Sequence, residues 1–121
     1  MTLDEYNRFC QSIPHSTKVI QWGGAHVWKI GGKVYAIGGW QDSDNQLFVT
    51  FKVSNNDYEI LKDVEGCRPA PYLASRGMKW IQRMNDVCIS DEELMQYLHE
   101  SYRVVSLNLT KKLQRELRLI D

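Results

Sequence analysis

At 121 residues, with 43% hydrophobic and 25% charged side chains, the chain has the make-up of one globular domain rather than two domains or a disordered segment. Lysine plus arginine and aspartate plus glutamate both number 15. That balance argues against a dedicated non-specific nucleic-acid binder, which needs a basic excess to neutralise phosphates, yet leaves room for a local basic patch.

In chain order, Thr2-Leu3-Asp4-Glu5 has the form of a capping box. Leu3, Tyr6, Cys10 and Ile13 follow at helical spacing, widened by Phe9, and Pro14 ends this first helix. The period then changes. Ala25, Val27 and Lys29 alternate with His26, Trp28 and Ile30, and Gly31-Gly32 supplies a two-residue hairpin turn into a partner strand from Val34 to Trp40. Gln41 to Gln46 reads as a polar loop. Leu47, Val49, Phe51 and Val53 form one side of a third strand, with Phe48, Thr50 and Lys52 on the other. Ser54 caps a short helix carrying Tyr58, Leu61 and Val64, which Gly66 terminates.

Gly66-Cys67-Arg68-Pro69-Ala70-Pro71-Tyr72-Leu73 is a stiff, non-helical ribbon. Lys79 to Arg83 reads as one more strand, followed by a turn at Asn85-Asp86. Ser90-Asp91-Glu92-Glu93 is a second capping box opening the longest helix, with Leu94, Leu98, Tyr102 and Val105 as its apolar stripe. Leu109, Leu113, Leu117 and Ile120 continue that stripe beyond a break near Thr110. The order is helix, three strands, helix, strand, C-terminal helices. That is an α+β domain over residues 1–121, an antiparallel meander with helices largely on one face.

Cys10, Cys67 and Cys88 are odd in number and lack Cys-x-x-Cys spacing, which disfavours a disulfide framework and a zinc site. Three free thiols suit a reducing compartment. No signal segment is legible, and no apolar run approaches the roughly 20 residues of a membrane span. The expectation is a cytoplasmic protein without a membrane partner.

Between Glu65 and Asp86 the chain carries Arg68, Arg76, Lys79 and Arg83 and no acid, interleaved with Tyr72 and Trp80. Cations beside flat aromatics suit phosphate contact and base stacking. Lys111, Arg115 and Arg118 fall at i, i+4 and i+7, with Lys112 adjacent, so they line one helical face opposite the leucines. The Gly-Gly pairs at Gly23, Gly31 and Gly38 fit no Gly-x-Gly-x-x-Gly, and none opens a helix able to hold phosphate. His15, His26 and His99 show no metal-ligand spacing. No nucleophile elbow is present, and Cys10 lies on an apolar helix face where burial makes a thiol inert. No enzyme, cofactor or metal is expected.

Ile13-Pro14, Trp22-Gly23, Trp28-Lys29-Ile30-Gly31-Gly32-Lys33, Gly66-x-x-Pro69-Ala70-Pro71-Tyr72-Leu73, Trp80 and Ser101-Tyr102 occur in an order that resembles the MmcQ/YjbR family over essentially the whole chain. Ser54 and Thr110 stand where that family often has proline, and both still cap helices. The resemblance implies an α+β fold similar to secretion chaperones and frataxin-like (CyaY-like) domains, and it carries a DNA-binding label. The combined expectation is a non-enzymatic nucleic-acid-binding module. Arg68, Arg76, Lys79 and Arg83 would contact phosphates, helped by Lys33 and the Lys111, Lys112 and Arg115 face, with Tyr72 and Trp80 stacking or positioning. The alternative is a protein-interaction or chaperone-like module, monomeric or homodimeric, using a sheet edge or apolar face. A third reading is a small-molecule pocket lined by Trp22 and Tyr72.

Overall fold

Thr2 opens the first helix through the capping box its sequence announces. The Thr2 hydroxyl accepts from the Glu5 amide at 3.1 Å, and the Glu5 carboxylate accepts from the Thr2 amide at 3.1 Å. Two donors that a helix start leaves free are thereby satisfied. Helix α1 spans Leu3–Ser12 and buries Tyr6 and Cys10. The computed structural model describes residues 1–41 and 46–119. Most of the expected polar loop over Gln41 to Gln46 lies outside these residues, as does Ile120.

The strands are β1 Ser16–Gln21, β2 Ala25–Ile30, β3 Lys33–Gln41, β4 Leu47–Lys52, β5 Cys67–Pro69 and β6 Trp80–Arg83. They form one sheet in the order β1-β2-β3-β4-β6-β5, antiparallel at every junction. The expected α+β antiparallel architecture is therefore present, with β1 and β5 added. Neither announces itself. β1 is an edge strand with Thr17 to Ile20 all exposed, so it lacks an alternating burial pattern. β5 is three residues long and carries a proline, which an edge strand tolerates. The Gly31-Gly32 turn has φ of 58° and 84°, the paired positive values a tight hairpin needs.

Helix α2, Asn55–Leu61, starts at the Ser54 cap and buries Leu61. Helix α3, Asp91–Leu107, starts at the Ser90–Glu93 capping box and buries Leu94, Leu98, Tyr102 and Val105, as its stripe predicts. Helix α4, Lys111–Glu116, is capped by Thr110. Gln114, buried within it, donates to the Leu107 carbonyl at 3.3 Å and to the Leu109 carbonyl at 2.7 Å, closing the end of α3.

Helices α1 and α3 share the same face of the sheet, where Trp28, Ile30, Phe51 and Ile81 meet Tyr6, Leu94 and Leu98 in the main core. Tyr6 lies directly on β3. A Cβ at Gly38 would sit 2.6 Å from its ring, so only glycine admits α1 this closely. Ser101 and Tyr102 clamp the other helix. Tyr35 is the extra residue where the β2–β3 register shifts between Trp28 and Lys29. The buried Ser101 hydroxyl donates to the Tyr35 carbonyl at 2.6 Å and accepts from the Lys52 amide at 3.0 Å. Tyr102 donates to the Pro14 carbonyl at 2.8 Å and meets the Tyr35 ring edge-on at 5.4 Å.

One expectation is corrected by the pairing of the thiols. Cys67 and Cys88 form a disulfide, leaving Cys10 as the free cysteine. Folding β5 back against β6 brings together two residues that are 21 positions apart in sequence. The argument for a reducing compartment from three free thiols therefore falls. No described helix is long and apolar enough to cross a membrane.

Candidate functional site

Because side chains alternate across a strand, the register fixes what the second face of the sheet presents. Val19, Val27, Ile37, Thr50, Gln82 and Arg68 are successive partners across all the strands, a single row running from edge to edge. Its first half is apolar and its second half polar. The polar half is hydrogen-bonded: Arg68 Nε donates to Gln82 Oε1 at 2.8 Å, and Gln82 Nε2 donates to Thr50 Oγ1 at 3.3 Å. Arg68 also lies over the Phe48 ring, 5.6 Å from its centroid.

After β5 the ribbon turns over this row. Leu73 packs on the small apolar cluster of Ala25, Val27 and Ile37, and Trp40 joins it from β3. Between ribbon and sheet lies a cleft of about 260 Å³. Trp22, Trp40, Pro71, Tyr72 and Leu73 wall it, and Ile37, Thr50 and Gln82 floor it. Trp40 Nε1 donates to the Trp22 carbonyl at 3.0 Å, which ties the β1–β2 turn to β3. Trp22 is 54% exposed and Tyr72 70% exposed, and both hold positive φ, 53° and 71°. Such values are unusual for bulky residues. A 3-10 turn over Ala74–Arg76 follows, pinned where Ser75 Oγ donates to the Tyr72 carbonyl at 2.6 Å. It carries the Arg76 guanidinium over the Tyr72 ring, 5.0 Å from the centroid.

The residues expected to bind phosphate therefore separate. Arg68, Tyr72 and Arg76 gather around the cleft. Lys79 sits beyond the turn with its ammonium 4.6 Å from the Tyr58 ring centroid. Lys33 donates to the Asn108 carbonyl at 3.2 Å, at the corner where α3 gives way to α4, and so joins the exposed Lys111, Lys112 and Arg115 in a second basic group. Arg118 leaves that face, because α4 ends at Glu116 and Arg118 takes a φ of 58°.

Two members of the expected set are corrected. Arg83 is 3% exposed and points to the helix side of the sheet. Its Nε donates to the Ile89 carbonyl at 3.1 Å and its Nη2 to Asp91 Oδ1 at 2.9 Å. It is a buried strut between β6 and the start of α3. Burial opposes ionisation of Asp91, but hydrogen bonds from the Met1 ammonium and Arg83 hold its carboxyl below the usual range. Trp80 is 5% exposed, and its Nε1 is a buried donor without a partner among the described residues. It packs rather than offering a free ring.

Two further titratable groups are shifted by their surroundings. Burial pushes the Cys10 thiol up to about 12, as an inert structural cysteine requires. His26 shares a 3.0 Å contact with the Asn7 amide, and burial, then the charge of Lys18, lower its pKa. No group of three His, Cys, Asp or Glu able to hold a metal ion occurs among the described residues. The polar floor of Thr50 and Gln82 went unread in the sequence. The strand spacing placed Thr50 opposite the core face, but nothing in it signalled that Gln82 and Arg68 would continue the same row.

The YjbR family model matches residues 11–104, most of the chain, including the ribbon and the cleft floor. The chain belongs to the YjbR family. This YjbR domain is similar to the crystal structure of Deinococcus radiodurans protein DR2400, which carries a DUF419 domain. The two share 26% identity with a TM-score of 0.82, over 99% of this chain and 90% of that one. It also matches a Pseudomonas syringae protein, structural genomics target PsR293, at 15% identity and a TM-score of 0.68. That likeness covers 86% of this chain and 98% of the other, and concerns the fold alone. Among curated proteins none matches this YjbR domain.

Proposed function

We propose that this chain is a non-enzymatic nucleic-acid-binding module whose contact surface is the ribbon and the cleft beneath it. The observation that carries the reading is the grouping of Arg68, Arg76 and exposed Tyr72 around one cleft, on a segment with no acid between Glu65 and Asp86. Phosphates are attracted by such a local excess of cations even when net charge is zero, and exposed rings add sequence-tolerant stacking. Lys79 extends the basic edge. The Lys33, Lys111, Lys112 and Arg115 corner is a second, separate contact for a longer nucleic acid.

The test uses charge reversal at exposed positions. Arg76→Glu with Lys79→Glu should weaken binding of a short DNA at least tenfold. It should also flatten the salt dependence by about one to two units of log–log slope, since each phosphate contact contributes about 0.7–0.9. An unchanged affinity and slope, with the fold intact, would refute the reading. Arg83 has no place in this test, because reversing a buried strut would unfold the site.

A second reading rests on β1. Among the described residues it ends the sheet with its outer edge unpaired, and Val19 and Ile20 are exposed on opposite faces of it. An extended segment of a partner protein, or of a second copy, could add there by strand pairing. Binding that ignores salt and is lost in Ile20→Lys would favour this reading over the first.

A further inference from the structure

We infer that the cleft between the ribbon and the sheet is a receptor for a single unstacked base, so that the protein selects a single strand of nucleic acid over a duplex. This rests on the nucleic-acid reading above and assigns its specificity. Trp22 and Tyr72 approach the cleft from opposite sides of the chain's topology, one from the β1–β2 turn and one from the ribbon. Both hold left-handed backbone that glycine or asparagine would adopt more readily. Their side chains are more than half exposed, so core packing does not offset that cost. Two exposed aromatic residues on one cleft, held in a backbone conformation that packing does not explain, suit a stacking site.

The size and chemistry agree. A volume of about 260 Å³ falls just below the roughly 300–1,000 Å³ of pockets for drug-sized ligands, which suits a fragment such as one heterocyclic ring. Trp22, Trp40 and Tyr72 supply flat walls for the faces of the ring, and Leu73 adds apolar surface. The floor is polar where its edge would arrive. Arg68 is a donor only, so its bond to Gln82 Oε1 fixes the amide orientation. Gln82 spends one N–H on Thr50, which leaves its second N–H and the Thr50 hydroxyl proton for carbonyl oxygens or ring nitrogens of a base. Arg68 and Arg76 stand beside the cleft, where the phosphates flanking an inserted base would lie, and the acid-free segment 66–85 adds no repulsion. A base paired and stacked in a duplex cannot enter such a site without being flipped out, which costs unstacking energy.

The experiment compares an oligothymidylate of roughly ten nucleotides with an abasic strand of the same length and with a matched duplex, a strand length within the span a single binding domain covers. Affinity and tryptophan fluorescence of the full chain are read at about 50 and 200 mM salt. The thymidylate strand should bind about tenfold to a hundredfold more tightly than the abasic strand, and more tightly than the duplex. Trp22→Asn and Tyr72→Asn keep a residue tolerant of positive φ while removing the ring. Each should lose the gain due to bases and keep its affinity for the abasic strand. Equal binding of thymidylate and abasic strands, or tighter binding of the duplex, would overturn the base-receptor assignment and leave phosphate contact standing. Binding of none of the three would overturn both.

Discussion

Replacing Arg83 with methionine should destabilise the fold by about 2–4 kcal/mol without any direct effect on binding. The side chain is almost wholly buried and makes two bonds, to the Ile89 carbonyl and to Asp91. Ile89 is itself buried, so its carbonyl would be left without its donor, at a cost of about 1–3 kcal/mol. Asp91 is 43% exposed, so solvent screens the ion pair and limits its share to about 1 kcal/mol or less. Methionine retains most of the apolar contact of the arginine stem, which adds little. Urea unfolding followed by tryptophan fluorescence would read the change. With a slope of about 2 kcal/mol per molar, the midpoint should fall by about 1–2 M. The effect has a pH signature. The folded state holds the Asp91 carboxyl below its ordinary value, so this contribution is present above the unfolded pKa of about 3.9 and fades as pH falls through the lower folded value. The cost of the unpaired Ile89 carbonyl should remain across this range. A midpoint unmoved by the substitution, with binding reduced, would show that Arg83 is a surface contact and that the register of β6 is wrong.

Two further substitutions test the packing that presents the cleft. Ser101→Ala removes the hydroxyl that bridges the Tyr35 carbonyl and the Lys52 amide, so chemical denaturation should show a loss of about 2–4 kcal/mol, whereas Ser101→Thr should retain part of the bridge. Gly38→Ala drives a methyl group into the ring of fully buried Tyr6, so the same measurement should show a loss of about 1–3 kcal/mol, and a neutral outcome would mean that α1 does not lie on β3.

The parts of the fold that could be read from the sequence are those set by local chemistry. Thr2 with Glu5 and Ser90 with Glu93 form capping boxes because their spacing alone closes the bonds. Gly31-Gly32 turns because both residues need positive φ. What escaped depends on distant partners. β6 is buried at every position, so its alternation carried no sign of inside or outside, and Arg83 passed for a surface cation. Its strut is completed by Ile89 and Asp91, from beyond the strand. The same sheet pairing joined Cys67 to Cys88, which their odd count and spacing had spoken against. The ribbon itself was conspicuous through its prolines, and Trp22 with Tyr72 were read as one pocket. The floor that completes that pocket comes from β3, β4 and β6, and only the register places Ile37, Thr50 and Gln82 in a row.

The most direct measurement is an amide NMR titration of the intact chain with a short single strand at near-physiological salt. Perturbations should cluster at Trp22 and Gly23, at Arg68, and from Tyr72 to Gly77, and fade as salt rises. Shifts confined to Thr17 through Ile20 on the β1 edge would contradict that expectation, as would a spectrum that a single strand leaves unchanged.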